Sequence, residues 1–374
     1  MLFIPAGWVA FLYTPVVLLA LIAFFISSKF IPTDSTALPH GFHIYMTQRP
    51  LRHLTSAITA LLALTVGFIL SSVTFGYSDV DEAITYAGQA FLNNTNPYTN
   101  YVVPHILIGS TGSQTIYGPY NYGPVDLVVY SLGQLLTRWL FGPVWWFFAF
   151  NVGLALLAYL PLHFVAPALP DGVKFPPYAF IIGFALQDNV VLMVLFLCLA
   201  LCAEKRLRSS AKTPVVAVLL TLGALTKLFL LFVLLGYLCF KVSEDLRGTI
   251  SACMASLVVA TTLVLVFGGW SVVDAVVLFH LDLGLRSQLA VVQGTLPSLV
   301  TMLGLSYLFP FLALVGYVLA LLLCKVLCES LAERLLLLSL LCLFLIPSSA
   351  YAFLTIPATQ LLTWWWGRLE GTPS

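Results

Sequence analysis

Apolar runs separated by short polar stretches make up almost the whole chain, and the runs recur at the length that crosses a bilayer rather than the length that fills a soluble core. Such runs cover Phe3 to Ser27, Leu54 to Phe75, Thr249 to Phe267, Leu308 to Leu323, Leu335 to Ala350 and Ala352 to Trp366. A bilayer span needs about 20 apolar residues, so each run is expected to be a helix in the membrane. Two polar stretches interrupt them, Gly76 to Tyr122 and Gly268 to Pro297. Within the first, Ile84, Ala87, Ala90 and Phe91 fall on one helical face, which predicts a short amphipathic helix lying on the membrane.

One segment has a different pattern. Pro214 to Thr226 and Leu228 to Phe240 are apolar, with Lys227 between them. Basic clusters flank the pair on both sides, and short loops rich in Lys and Arg mark the cytoplasmic face. A chain that starts and ends inside must enter and return, so Lys227 is placed at the turn of a hairpin of two short helices. Broken helices at membrane depth are tolerated where they are buried in protein or line a watery cavity. The stretch His163 to Asn189 fits either a span or a re-entrant segment.

Composition agrees with the pattern. The 374 residues are 60% hydrophobic and only 8% charged, with a mean hydropathy of +1.01, against roughly a quarter charged in soluble domains. A net charge of +1 argues against a nucleic-acid partner, which calls for clustered basic residues on one surface. All seven cysteines lie in or beside apolar segments, so neither a disulfide framework nor a zinc site is expected. The fold class expected is an all-α polytopic membrane bundle of roughly 9–12 transmembrane helices, forming a single domain over residues 1–374. The basic clusters at Lys29/Arg49/Arg52, Lys205/Arg206/Arg208/Lys212, Lys241/Arg247 and Lys325/Arg334 place the loops 76–122 and 268–297 on the extracytoplasmic or luminal face.

Candidate chemistry gathers on that face. Asp79, Asp81 and Glu82 follow directly after the Leu54 to Phe75 run, a position suited to a base acting on a lipid substrate. Acidic residues also favour helix N-termini, and taken alone these three read as a helix start. An intramembrane lysine is costly and has a functional or a paired role, so Lys227 either binds an anion or pairs with an acidic group to hold its hairpin. Arg286 is a second cation for an anion, or a solvated loop arginine. His280 and Asp282 sit in the same loop. Gln187, Asp188 and Asn189 contact a polar ligand or cap the following helix. Tyr117, Tyr120 and Tyr122 stack on a ligand or anchor at the interface, and interfacial anchoring is also the reading of Trp364, Trp365 and Trp366. His40 and His43 have no carboxylate or thiol company, and no metal is expected. Asn93-Asn94-Thr95 is a glycosylation sequon that agrees with the topology.

Four stretches, taken in order, carry a resemblance. Tyr77-Ser78-Asp79-Val80-Asp81-Glu82, followed by Tyr86, Ala87 and Asn96-Pro97-Tyr98, resembles the first outer loop of the GT-C superfamily of polyprenyl-phosphate-dependent glycosyltransferases. Ile116 to Pro124, with Tyr-Gly-Pro twice, is similar to the Tyr-Pro-Pro segment leading into that family's next span. Ala185-Leu186-Gln187-Asp188-Asn189 resembles the Gly-Gln-x-Asn element of its mannosyltransferase-like members, without the glycine. Gly223-Ala224-Leu225-Thr226-Lys227-Leu228-Phe229 looks like their lysine turn. The resemblance implies transfer of a hexose, most often mannose, from a dolichyl or undecaprenyl phosphate carrier to a hydroxyl of a lipid-linked or membrane-proximal acceptor. It needs no cofactor beyond that donor. Asp81 is then the expected base with Asp79 its rival, Lys227 and Arg286 the expected phosphate contacts, and Tyr117, Tyr122, Gln187, Asp188, Asn189 and His280 the expected substrate contacts. A transporter or lipid flippase, or a non-catalytic subunit of a glycan-assembly complex, is the alternative.

Overall fold

The computed structural model describes residues 49–75, 80–99, 103–109, 112–167, 169, 171–278, 281, 295–345 and 351–369. The expected helix Phe3 to Ser27, the His40/His43 pair, and His280, Asp282, Arg286 and Gln293 of the second polar loop lie outside them, as does Asp79.

Helix α1 (Arg49–Phe75) extends the expected run by five residues at its start. The amphipathic helix in the first polar stretch is present as α2 (Val80–Leu92), which buries Val80, Ala83, Ile84, Ala87 and Gly88. After it comes a departure from the expected all-helical chain. Strands β1 (Val103–Gly109) and β2 (Gly112–Gly118) pair antiparallel, with Pro104 opposite Tyr117. The reason is local: the stretch is rich in β-branched residues, Val103, Ile106, Ile108, Thr115 and Ile116, a residue type enriched in strands.

Helix α3 (Pro124–Val165) is two helices joined across Gly142, whose φ of 74° is left-handed, with Pro143 next in the chain. The chain reverses there. The Tyr130 hydroxyl donates to Asn151 Oδ1 at 2.6 Å, and the Tyr130 and Phe147 rings stack at 5.3 Å, so arm 124–141 lies back along arm 143–165. Helix α4 (Asp171–Ala185) fills most of the stretch His163 to Asn189, and a turn, 186–189, joins it to α5 (Val190–Arg206). Helix α4 packs on α1 at backbone contact. A Cβ on Gly67 would stand 2.4 Å from the Phe180 carbonyl oxygen, and one on Gly183 2.4 Å from that of Leu64.

The expected hairpin around Lys227 is α6 (Ser209–Ala224) and α7 (Phe229–Lys241). Helix α8 (Leu246–Phe267) is capped by Asp245, whose Oδ1 accepts from Gly248 N–H at 2.9 Å. A short α9 (Trp270–Val273) and one π-helical turn follow. Then come α10 (Leu296–Met302), α11 (Phe309–Leu327), α12 (Leu331–Cys342) with a full capping box from Ser330 and Glu333, and α13 (Thr355–Leu369). Arg368 pairs with Glu333 at 2.8 Å to tie α13 to α12.

Helix α5 is the centre, with Val190 to Val194, Leu197, Cys198 and Ala200 all buried. The periphery is inverted relative to a soluble protein. Leu61, Leu62, Val66 and Ile69 of α1, Ile250, Leu257, Val258, Leu265 and Val266 of α8, and Phe311, Leu314, Leu322 and Val326 of α11 are all exposed. A surface this apolar suits hydrocarbon as its solvent. Among the described residues, the helices Trp145–Val165, Leu246–Phe267 and Ser306–Leu327 are long and apolar enough to cross a membrane.

The two ends of α5 differ. At its last turn Arg206 donates to the Phe164 carbonyl at 2.9 and 2.7 Å and Lys205 to that of Val165, while the buried Lys174 donates to Ala166 at 3.0 Å. Cations thus satisfy the orphan carbonyls at the C-terminus of α3. At 1.5 Å per residue, the first turn of α5 lies about 25 Å away, at the other end.

Candidate functional site

At that opposite end three helices begin together. Arm 124–141 starts after Gly123, α5 after Asn189 and α7 after Leu228. Backbone contact joins them: Gly123 N–H donates to the Thr226 carbonyl at 2.9 Å, and Val125 N–H to that of Leu225 at 3.2 Å. Each helix N-terminus carries roughly half a positive charge, so the junction attracts anions.

Two carboxylates answer it from within the protein. Asp126, fully buried, accepts from Tyr120 Oη on one oxygen and from Asn189 Nδ2 at 2.8 Å on the other. Asp188 accepts from Val190 N–H at 3.0 Å and from Lys227 Nζ at 2.5 Å. Lys227 therefore has the acidic partner that its position in the sequence left open. Its ammonium also lies 4.8 Å from the centre of the Tyr122 ring and 5.4 Å from that of Phe353, a cation–π arrangement.

The supports are polar as well. Asn151 Nδ2 donates to the carbonyls of Leu186 at 3.0 Å and Asp188 at 3.2 Å, pinning the turn before α5 to arm 143–165. The Tyr98 hydroxyl donates to the Tyr122 carbonyl at 3.0 Å, and Tyr120 N–H to that of Pro97 at 2.9 Å. Asn96 Oδ1 closes its own turn on Tyr98 N–H at 2.9 Å, while its Nδ2 donates to Phe267 at the end of α8. Segments 96–98, 119–126, 186–190 and 223–228 thus form one hydrogen-bonded body.

Of the residues expected at the site, Tyr122, Asp188, Asn189 and Lys227 meet here, and Gln187 is half-buried in the same turn. Asp81 and Glu82 stand in the first turn of α2, where Asp81 Oδ1 accepts from Glu82 N–H at 2.8 Å. That is how an acidic residue serves a helix start. Tyr117 belongs to β2, opposite Pro104. Asp126, Asn151 and Phe353 were not foreseen. The signal for Asp126 was present: a lone carboxylate in the apolar run Pro124 to Tyr130 has to find partners.

Burial pushes the Asp126 carboxyl up from 3.8 to about 7, although Tyr120, Lys227 and Asn189 each favour its charged form. Burial, reinforced by Asp126, also holds the Tyr120 phenol well above its usual range, so Tyr120 acts as a neutral donor. A carboxyl with a raised folded value binds its proton more tightly folded than unfolded. Stability therefore declines as pH rises between those two values, with a slope of at most about 1.4 kcal/mol per pH unit. Asp126→Asn, which keeps the shape, is expected to flatten that decline in melting curves of the detergent-purified protein. An unchanged slope would move its origin elsewhere.

No group of three His, Cys, Asp or Glu residues suited to a metal occurs among the described residues. Comparison with family models, with curated proteins and with solved structures finds no match.

Proposed function

We propose that the chain is a polytopic membrane glycosyltransferase of the GT-C type, moving a hexose from a polyprenyl phosphate to an acceptor hydroxyl. The observation that carries this reading is the meeting of four stretches. Asn96-Pro97-Tyr98, Tyr120 to Pro124, Gln187-Asp188-Asn189 and Thr226-Lys227 were singled out by resemblance, are far apart in the chain, and are tied together by hydrogen bonds, a cation–π contact and an ion pair. The basic end around Lys205 and Arg206 takes the cytoplasmic side under the positive-inside rule. The junction of helix starts then faces the extracytoplasmic half of the membrane, where lipid-carried sugars are used.

The chemistry asks for two things. The acceptor hydroxyl attacks the sugar's anomeric carbon opposite the phosphate, inverting it. The carbon–oxygen bond to phosphate breaks, its electron pair leaves on the polyprenyl phosphate, and the hydroxyl proton passes to a carboxylate. Lys227, beside three helix N-termini, holds the departing phosphate, and the donor competes with Asp188 for the ammonium. Asp81, leading α2 at the start of the outer loop, is the base, with Asp79 as its alternative. Tyr122, Gln187 and Asn189 line the sugar's place.

The test is sugar transfer in liposomes from labelled polyprenyl-phosphate mannose to extracted membrane lipids. Wild type transfers, and Asp81→Asn loses about 10²–10⁴-fold. Activity retained by Asp81→Asn but lost in Asp79→Asn moves the base by two residues. No transfer from any lipid-linked sugar by folded protein overturns the reading in favour of a transporter, which flux assays then examine.

A further inference from the structure

A second cleft, apolar for the most part but holding Arg138 and Gln134, lies apart from the Lys227 junction. Helix α2 and arm 124–141 border an open cleft of about 540 Å³ whose lining includes Gln89, Asn93, Gln134, Leu135, Arg138 and Trp139. Arg138 is twelve residues beyond Asp126 on a continuous helix, or about 18 Å at 1.5 Å per residue. The pocket is therefore distinct from the site above.

Its chemistry is unbalanced. Among the described residues no carboxylate lies within 4 Å of the Arg138 guanidinium. Gln89 Oε1, with its amide turned to satisfy both groups, accepts from it. Gln134 is 3% exposed, and neither Nε2 nor Oε1 has a hydrogen-bond partner. A buried amide with both ends unmet costs stability and calls for an occupant. Among the described residues the cleft thus offers Arg138 no anion and Gln134 no group that both accepts and donates.

The surroundings say what bears that group. Trp139 is 77% exposed, and Leu132, Leu135, Leu136, Leu140, Phe141 and Trp145 are exposed beside it at the Gly142 reversal. A guanidinium and an amide set in a mostly apolar cleft, continuous with an apolar wall and with a tryptophan at its rim, match an amphiphile at a membrane boundary. Guanidinium binds phosphate through two parallel hydrogen bonds, and the Gln134 amide meets the remaining phosphate oxygen and a hydroxyl.

We propose that this pocket binds the phosphate of an amphiphile, with Arg138 on the anion, Gln134 and Asn93 on the head group, and the apolar chains along Leu135, Trp139 and the exposed face of arm 124–141. The site does not depend on sugar transfer and is tested by binding alone.

The experiment uses the full chain in nanodiscs of phosphatidylcholine doped with brominated phosphatidic acid, which quenches a nearby tryptophan. Trp139→Phe isolates the Trp139 signal. Quenching of Trp139 saturates with phosphatidic acid, and Arg138→Gln raises the half-saturating mole fraction at least about tenfold, the loss expected of a charge-assisted pair. Gln134→Leu, which removes the unmet amide without opening a void, weakens binding while keeping the fold. Inorganic phosphate that displaces the lipid at millimolar concentration assigns the phosphate to a soluble source, with the same residues. Equal quenching by brominated phosphatidylcholine, or binding unchanged in Arg138→Gln, overturns the proposal.

Discussion

Lys227→Met is expected to lower sugar transfer by about 10²–10³-fold, the loss seen when one preorganised donor to a developing oxyanion is removed. Methionine keeps most of the volume and the contact with Tyr122 and Phe353 but removes the charge. It also leaves Asp188 largely buried, with Val190 N–H as its remaining partner among those described above. Breaking a buried pair by one partner costs up to about 3–5 kcal/mol, so the single variant is expected to melt earlier as well. The double variant Lys227→Met/Asp188→Asn separates the two effects. It regains most of the melting temperature and none of the transfer. Wild-type transfer by the double variant would show that the lysine only holds the hairpin.

Gly123→Ala is expected to be strongly destabilising. The new methyl would stand 1.9 Å from the Leu225 carbonyl oxygen and 2.4 Å from its carbon, and both are backbone atoms. Relief requires the start of arm 124–141 to leave the α6–α7 turn. That breaks the hydrogen bonds of Gly123 to Thr226 and Val125 to Leu225 and withdraws Tyr122 from Lys227. The cost is expected to reach about 3 kcal/mol, the upper end for overpacking. Gly153→Ala is the control, because its added carbon meets nothing within 4 Å, and a helical Gly→Ala change there gains up to about 1 kcal/mol. Thermal melts of both variants in one detergent decide the matter; equal melting temperatures would mean that the turn and the arm are not in contact.

Apolar periodicity made α1, α2, α6, α7, α8 and α11 legible, because each carries its signal within itself. The lysine turn was readable from charge placement alone, since an unbroken helix would have put flanking basic clusters on opposite faces. Two features escaped. The β-hairpin sits in a stretch whose polar character reads as loop, and only its β-branched residues mark strand. The reversal at Gly142 lies in a predominantly apolar stretch where only the Gly-Pro pair marks a turn, and 42 residues conceal two antiparallel arms. The site followed the same division. Lys227, Asp188 and Asn189 stand at element ends, where polar residues are conspicuous. Asp126 stands in a helical first turn, where an acidic residue attracts no notice, and its partners Tyr120 and Asn189 become visible only when the chain is folded.

The touching backbones of α1 and α4 at Gly67 and Gly183 bear on how the protein responds to cold. Helices in lipid gain nothing from expelling water from each other, since lipid tails are as apolar as leucine. Close approach of two glycines instead draws on dispersion between main chains, an enthalpic attraction that carries little heat-capacity change. Hydrophobic burial in water weakens on cooling. The α1–α4 pair lacks that weakness, so chilling tightens this contact at temperatures where a water-driven interface of equal area would loosen.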